Sequence, residues 1–296
     1  MASIRPATHG GSWYSANKRQ LQTQIENWFN TVDSPRFGRF GVGPHAGYTY
    51  CGATLAHTYK CLDPNITTVF VMGPSHCQYF KGVRTSKYAG YETPLGTVAV
   101  DTQITRKLNS QGVDYLDIDT DDEEHSLEMH LPMLKYTNSK ATFVPLVFGD
   151  LSSAAEQDFV QLLTPYFDNP QIAFIVSSDF CHWGSRFGYT RYSPAGTDHL
   201  APVKQHPSPL GRPIWESIRD LDQEGMKIAS TGNADSWNKY IQETGNTVCG
   251  HRPLSVLVRL AETCNSQIHF EWLHYAQSSH VSSRHDSSVS YAAAIA

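Results

Sequence analysis

Three uninterrupted apolar runs, Thr67–Gly73 (TTVFVMG), Ala141–Gly149 (ATFVPLVFG) and Ile172–Ser177 (IAFIVS), constrain the fold of this 296-residue chain more than any other feature. They are rich in β-branched and aromatic residues and lack polar alternation. Strands of that kind are buried on both faces, as in a parallel sheet sandwiched between helices. Pro145 cannot donate to a ladder, so it points to an edge or a bulge within its run. Amphipathic segments separate the runs. Leu21, Ile25, Trp28 and Val32 fall at helical spacing behind Ser15, read as the N-cap, and end before a Pro35/Gly38 break. Ser153 with Glu156 reads as a capping box, opening a helix whose face is Phe159, Leu162, Leu163 and Tyr166.

Phe40–Gly43 is a short strand by the same criteria and Gly52–Lys60 a short helix. Ala234–Glu243 and Pro253–Cys264 read as helices, the latter with Pro in its first turn, and Gln267–Ala276 and Ser288–Ala294 as closing, antiparallel strands. The expectation is one α/β domain over residues 1–296, with a largely parallel central sheet flanked by helices. The stretch Ser193–Pro213 carries five prolines and little periodicity, and reads as a surface excursion.

Charge excludes several roles. Lys and Arg number 23 against 28 Asp and Glu, giving −5, and no basic run offers a footprint for nucleic acid or an acidic membrane surface. No segment approaches the roughly 18 apolar residues of a membrane span. The opening MASIRPATHGGSWY lacks the apolar core of a signal peptide, and the six cysteines form no CxxC pair, which together predict a cytoplasmic protein with reduced thiols. Histidine is the outlier at 14 copies, raising the odds of a metal or acid–base site.

Polar clusters follow three of the strands. Phe40–Gly43 leads into PHAGYTYCG with His45, Val69–Gly73 into GPSHC with His76, and Ile172–Ser178 into DFCHWG with Asp179 and His182. Loops at the carboxyl ends of parallel strands converge, so these groups are candidates for one site. Each alone is equally well a loop histidine, but three independent placements after buried strands favour a site. Cys249, in VCGHRP, precedes a helix whose positive terminus would favour the thiolate; a small buried hydrophobe is the competing reading. The run Asp119–Glu124 reads as a solvated loop leading into a helix. On that helix His125 and Glu128 share a face, in either a capping and packing role or a place beside the site, with His130 elsewhere. The spacing is not HExxH. Trp13 and Tyr14 are either core anchors or the aromatic wall of a pocket.

Taken in order, GSWY (11–14), PHAGYTYCG (44–52), GPSH (73–76), EHSLEMHLP (124–132), SSDFCHWG (177–184), CGHRP (249–253) and DSSVSYAA (286–293) resemble the motif set of the Memo family, over nearly the whole chain. The resemblance implies a fold similar to class III extradiol dioxygenases, which use non-haem Fe(II). It carries His45 and His76 over as metal ligands, Cys249 in place of the usual carboxylate, and His182 as the acid–base histidine with Asp179 beside it. Trp13, Tyr48, His125, Glu128 and Arg186 fall around the implied pocket. The family resemblance further implies iron or copper binding, a redox role and phosphotyrosine-peptide binding in motile cells. A sulfur ligand softens the site toward copper(I) or zinc and is itself oxidisable.

Three functions follow as expectations: a metal-binding redox protein; a non-haem Fe(II) dioxygenase carrying out ring-opening or other O2-dependent oxidation of a small aromatic, with His182 moving the proton; and a pocket reused for a phosphopeptide or signalling protein met by Arg186. A cysteine hydrolase with Cys249 as nucleophile and His182 as base is the weakest.

Overall fold

The computed structural model describes residues 3–33, 36–193, 201–202 and 211–296. The predicted apolar runs form the centre of a nine-stranded sheet. Its order is His182–Trp183, Ser288–Ile295, Phe40–Gly43, Ile172–Ser177, Thr68–Pro74, Thr142–Phe148, Val83–Thr85 and Asp114–Tyr115, with Glu271–Gln277 paired to Ser288–Ile295. The four strands from Phe40–Gly43 to Thr142–Phe148 are mutually parallel. Ser288–Ile295 and Glu271–Gln277 pair antiparallel to their neighbours, and Val83–Thr85 pairs antiparallel to Thr142–Phe148 but parallel to Asp114–Tyr115, so the sheet is parallel at its centre and mixed at its margins.

Alternation along each central strand builds two cores. Phe70, Met72, Val144, Leu146, Phe174 and Val176 face one side, where they meet the helices Ser153–Phe167, Ile214–Ala229, Ala234–Thr244 and His251–Thr263. Val69, Val71, Phe143, Val147, Ala173 and Ile175 face the other, against the helices Lys18–Phe29, Tyr48–Lys60 and Leu131–Thr137. Both faces are covered, which is why these strands lack polar alternation.

Several expectations are corrected. Pro145 is not on an edge strand: it lies opposite Val71, and the far neighbour pairs only at Val147 and Phe148. No ladder donor is needed at Pro145 on that side, and its carbonyl accepts from Thr85 Oγ1 at 2.8 Å. The first helix is capped by Asn17, not Ser15, through a side-chain bond to Gln20 N; Pro35, half of the expected break, lies outside the described residues. Ser152, one residue earlier than read, caps the helix Ser153–Phe167. The helix expected at Gly52 begins at Tyr48. Most of the Pro-rich stretch Ser193–Pro213 lies outside the described residues, apart from a backbone pairing of Ala201–Pro202 with Arg191–Tyr192.

The acidic run is also not a solvated loop. Ile118–Glu123 is a helix, Asp121 is buried against Tyr91, and Glu124 is buried at the start of the short helix His125–Glu128. No described helix is long and apolar enough to cross a membrane.

Candidate functional site

The parallel strands Phe40–Gly43, Thr68–Pro74 and Ile172–Ser177 all end on one rim of the sheet, and their loops bring His45, His76, Asp179 and His182 together. Gly73 is required there: a Cβ would lie 2.6 Å from Ser126 Oγ, so only glycine lets the helix His125–Glu128 seat against the strand end. Ser126 Oγ donates to Pro74 O at 2.9 Å and fixes that contact.

Hydrogen bonds set the imidazole tautomers. Ser177 Oγ donates to Ser126 O at 2.6 Å, so its lone pair accepts from His45 Nδ1–H, also at 2.6 Å. The Glu124 carboxylate accepts from His76 Nδ1–H at 2.9 Å and from His76 N at 2.6 Å. A carboxylate or a committed hydroxyl can only accept here, so both rings carry a proton on Nδ1 and leave Nε2 for another partner. Burial pushes the His45 imidazole well below its ordinary value, and the neighbouring His76, His125, His130 and His182 push in the same direction, so the ring is neutral. Burial works against the Glu124 carboxylate, but its bonds and charge interaction with His76 outweigh it and hold the group at about 2.

Among the described residues, His45, His76 and His125 form the group whose ligand atoms lie mutually within 4.8 Å. His125, read from the sequence as a capping or neighbouring residue, therefore belongs to the cluster. Its ring stacks on His76 with centroids 4.2 Å apart and meets Trp13 in a tilted contact at 4.4 Å. Cys249 Sγ lies 3.2 Å from His45 Nε2 without joining the three-imidazole group. The sulfur is seated on the loop after Ile172–Ser177, accepting from Asp179 N at 3.2 Å, and Gly250 N donates to Ser178 Oγ at 2.9 Å. Burial, followed by the charge of Asp179, pushes the Cys249 thiol up rather than down. The helix terminus that the sequence suggested would favour the thiolate is outweighed by desolvation.

Trp13, His45, His76, His125, His182 and Arg186 line a cleft of about 540 Å³, with Asp179 at its floor. His182 Nδ1–H donates to the carbonyls of Phe180 at 2.9 Å and Thr247 at 3.2 Å, leaving its Nε2 as an acceptor. Among the described residues no hydrogen bond joins Asp179 to His182, although the two interact through charge. Asp179 Oδ1 accepts from His45 N at 2.8 Å, so it braces the His45 loop. Burial raises the Asp179 carboxyl, although His182 and the N–H of His45 pull it down.

Two residues placed around the pocket from the sequence do not line it. Tyr48 is in the core, donating to Met129 O at 2.8 Å. Glu128 turns to the N-terminal segment, where Arg5 Nη1, His9 Nδ1 and Tyr14 OH donate to it. Tyr14 is thus a core anchor and Trp13 a pocket wall.

Sequence reasoning missed Ser177 and Glu124 as the groups that orient the two histidines. The SSD tripeptide after a buried strand was the available signal for Ser177. Glu124 was hidden in an acidic run that resembles an ordinary helix start.

A family profile described as Memo-like protein matches residues 5–295. The chain is 39% identical to Protein MEMO1 of Rattus norvegicus over 299 residues, covering 98% of this chain and 96% of the relative. It is 38% identical to the MEMO1 family protein MHO1 of Saccharomyces cerevisiae, covering 98% of each, and 38% identical to the Protein memo-1 homolog of Caenorhabditis elegans, covering 98% and 82%.

Proposed function

The chain belongs to the Memo family, and from that premise we propose that it is a cytoplasmic, redox-related protein binding iron or copper, or zinc, through His45, His76 and Cys249. The fixed tautomer of two imidazoles carries this reading. Two separate acceptors, Ser177 and Glu124, hold the Nδ1 protons, so in both rings Nε2 is the nitrogen left to face an ion. Cys249 Sγ beside His45 Nε2 adds a third donor of the kind that suits copper(I), zinc or iron. A bound iron or copper ion would supply Lewis acidity and one-electron chemistry.

The test is equilibrium dialysis of the purified chain against Fe(II) or Cu(I) under argon, followed by elemental analysis. About one ion per chain is expected. His45→Ala and His76→Ala should each weaken retention at least about tenfold with an unchanged circular dichroism spectrum. Retention equal to wild type in the double variant would refute the assignment.

His182 favours a second reading, O2-dependent oxidation of a small aromatic. With Nδ1–H committed to two carbonyls, Nε2 is set to accept a substrate proton within the cleft. Oxygen uptake with a catechol panel tests this, and uptake no greater than in His182→Ala for every substrate would remove it. For a phosphopeptide or signalling partner, the supporting feature is Arg186, the one Lys or Arg among the described cleft-lining residues. Equal binding of phosphorylated and unphosphorylated peptides would eliminate phosphate recognition.

A further inference from the structure

The margins of the large sheet differ. Asp114–Tyr115 and His182–Trp183 are two residues each. Glu271–Gln277 is seven residues long and paired on one side only, to Ser288–Ile295. Its residues are all at least partly exposed, whereas Ser288–Ile295 is almost wholly buried. Edge strands are usually blunted by lysine, proline or charges along their length. Between Trp272 and Gln277 this strand carries none of them, and Glu271 at its start is engaged by Arg36 at 3.1 Å. A bulge between Trp272 and His274 confines regular pairing to His274–Gln277.

The ladder fixes which main-chain groups of this edge are free. Ser278 N donates to Val289 O at 2.9 Å, toward the sheet. Ser290, the ladder partner of Gln277, turns the other way: its N–H bonds to Cys181 O at 2.9 Å and its carbonyl accepts from Phe180 N at 2.8 Å. Directions alternate along an antiparallel pair, so Ala276 and His274 bond inward to Tyr291 and Ala293. Tyr275 and Gln277 therefore point their N–H and C=O outward, where neither meets a partner among the described residues.

We propose that this edge is a self-association surface, on which a second copy of the chain pairs antiparallel about a two-fold axis at Ala276. The edge is self-complementary. Tyr275 and Gln277 lie symmetrically about Ala276, so Tyr275 meets Gln277 of the partner subunit and Gln277 meets Tyr275 of the partner subunit, each pair exchanging both of its N–H···O bonds. Ala276 then faces Ala276 of the partner subunit in the non-hydrogen-bonded position, where Cα atoms approach to about 4.5 Å and a small side chain fits. Any extended peptide could use the same main-chain groups. Free groups placed evenly about the smallest side chain of the strand are what a two-fold axis requires. No like charges oppose each other across that axis. Ala276 shares a sheet face with its ladder partner Tyr291, which lines the cleft together with Tyr50. Tyr50 is 65% exposed, so a second copy on this edge also lies beside an aromatic ring that water otherwise surrounds.

Sedimentation equilibrium of the full chain between about 5 and about 300 μM reads the association. The weight-average mass should rise with concentration from 33.0 kDa toward twice that value. Ala276→Lys and Ala276→Glu each set like charges across the axis and should weaken association about fivefold or more, with unchanged circular dichroism spectra. An equimolar mixture of the two should restore it, because Lys then faces Glu, and the small, neutral Ala276→Ser should associate as wild type does. In wild type, amide exchange at Tyr275 and Gln277 should slow as concentration rises, a readout that needs no variant. Wild type that stays at 33.0 kDa throughout, exchange rates independent of concentration, charged variants that associate as well as wild type, or a mixture no stronger than either variant alone would each overturn the proposal. Monomeric wild type that instead binds an extended Thr/Val peptide would assign the edge to a peptide and overturn it as well.

Discussion

Replacing Glu128 by Gln removes a charge from the most heavily hydrogen-bonded carboxylate beside the candidate site. Glu128 is fully buried and accepts from Arg5 Nη1 at 2.5 Å, Tyr14 OH at 2.7 Å, His9 Nδ1 at 2.8 Å, His9 N at 2.9 Å and Thr8 Oγ1 at 3.0 Å. Arg5 is itself fully buried. Breaking one partner of such a pair costs about 3–5 kcal/mol, because the other charge stays behind. Arg5 also donates to the carbonyls of Asp121, Asp122 and Glu124, which places the expected loss near the lower end.

Titration gives a second route to the magnitude. Burial alone would raise the Glu128 carboxyl, but the bond to His9, the Arg5 charge and the Tyr14 bond outweigh it and bring the group from 4.5 to about 2. At about 1.4 kcal/mol per tenfold change, that corresponds to about 3 kcal/mol. Because the folded value is depressed, this contribution is complete above the unfolded value of 4.5 and disappears as pH falls toward 2. Urea unfolding followed by tryptophan fluorescence should show Glu128→Gln about 3 kcal/mol less stable than wild type at pH 7, with the gap narrowing steadily below pH 4.5. A loss under about 1 kcal/mol, or a gap that does not change between pH 7 and pH 3, would refute the reasoning.

Three further outcomes are expected. Burial lifts the Asp222 carboxyl from 3.8 to about 6, so its folded value is raised and wild-type stability should fall by up to about 3 kcal/mol as pH climbs through that window; in Asp222→Asn this dependence should be absent from pH-resolved unfolding curves. In Gly250→Ala the new Cβ would lie 2.4 Å from Ser178 Cβ and 2.6 Å from Ser177 O, so unfolding assays should show a loss of about 1–3 kcal/mol, together with weaker Cu(I) binding as Cys249 is pushed off its seat. Glu124→Gln should lower metal affinity about 10–100-fold in competition titrations while the fold survives, because the acceptor that fixes the His76 tautomer is compromised.

The sheet was legible wherever a strand is buried on both faces. TTVFVMG and IAFIVS could not be half-exposed strands, and the structure gives each a helix-covered core on both sides. The Pro145 expectation failed because edge status depends on how long the neighbouring strand is, and Val83–Thr85 is too short to reach position 145. Strand-end histidines were legible for a topological reason: parallel strands deliver their following loops to one rim. His125 and Glu124 were not, since helix-start acids and a neighbouring histidine look alike whether they cap a helix or face a cleft. The protonation expected for Cys249 failed because sequence reveals the nearby helix terminus but not the depth at which the sulfur is buried. Glu128, read as packing or as lying beside the site, anchors the N-terminal segment, and the sequence could not show this because its partners, Arg5, His9 and Tyr14, come from the start of the chain.

The central claim is that the Nε2 atoms of His45 and His76 face one ion. An anomalous-difference map from crystals of the copper- or iron-loaded protein, collected at that metal's absorption edge, tests it most directly. The account predicts a single strong peak within bonding distance of both Nε2 atoms. Metal-loaded crystals with no peak there, or with one bound only at surface histidines such as His269 or His285, would contradict it.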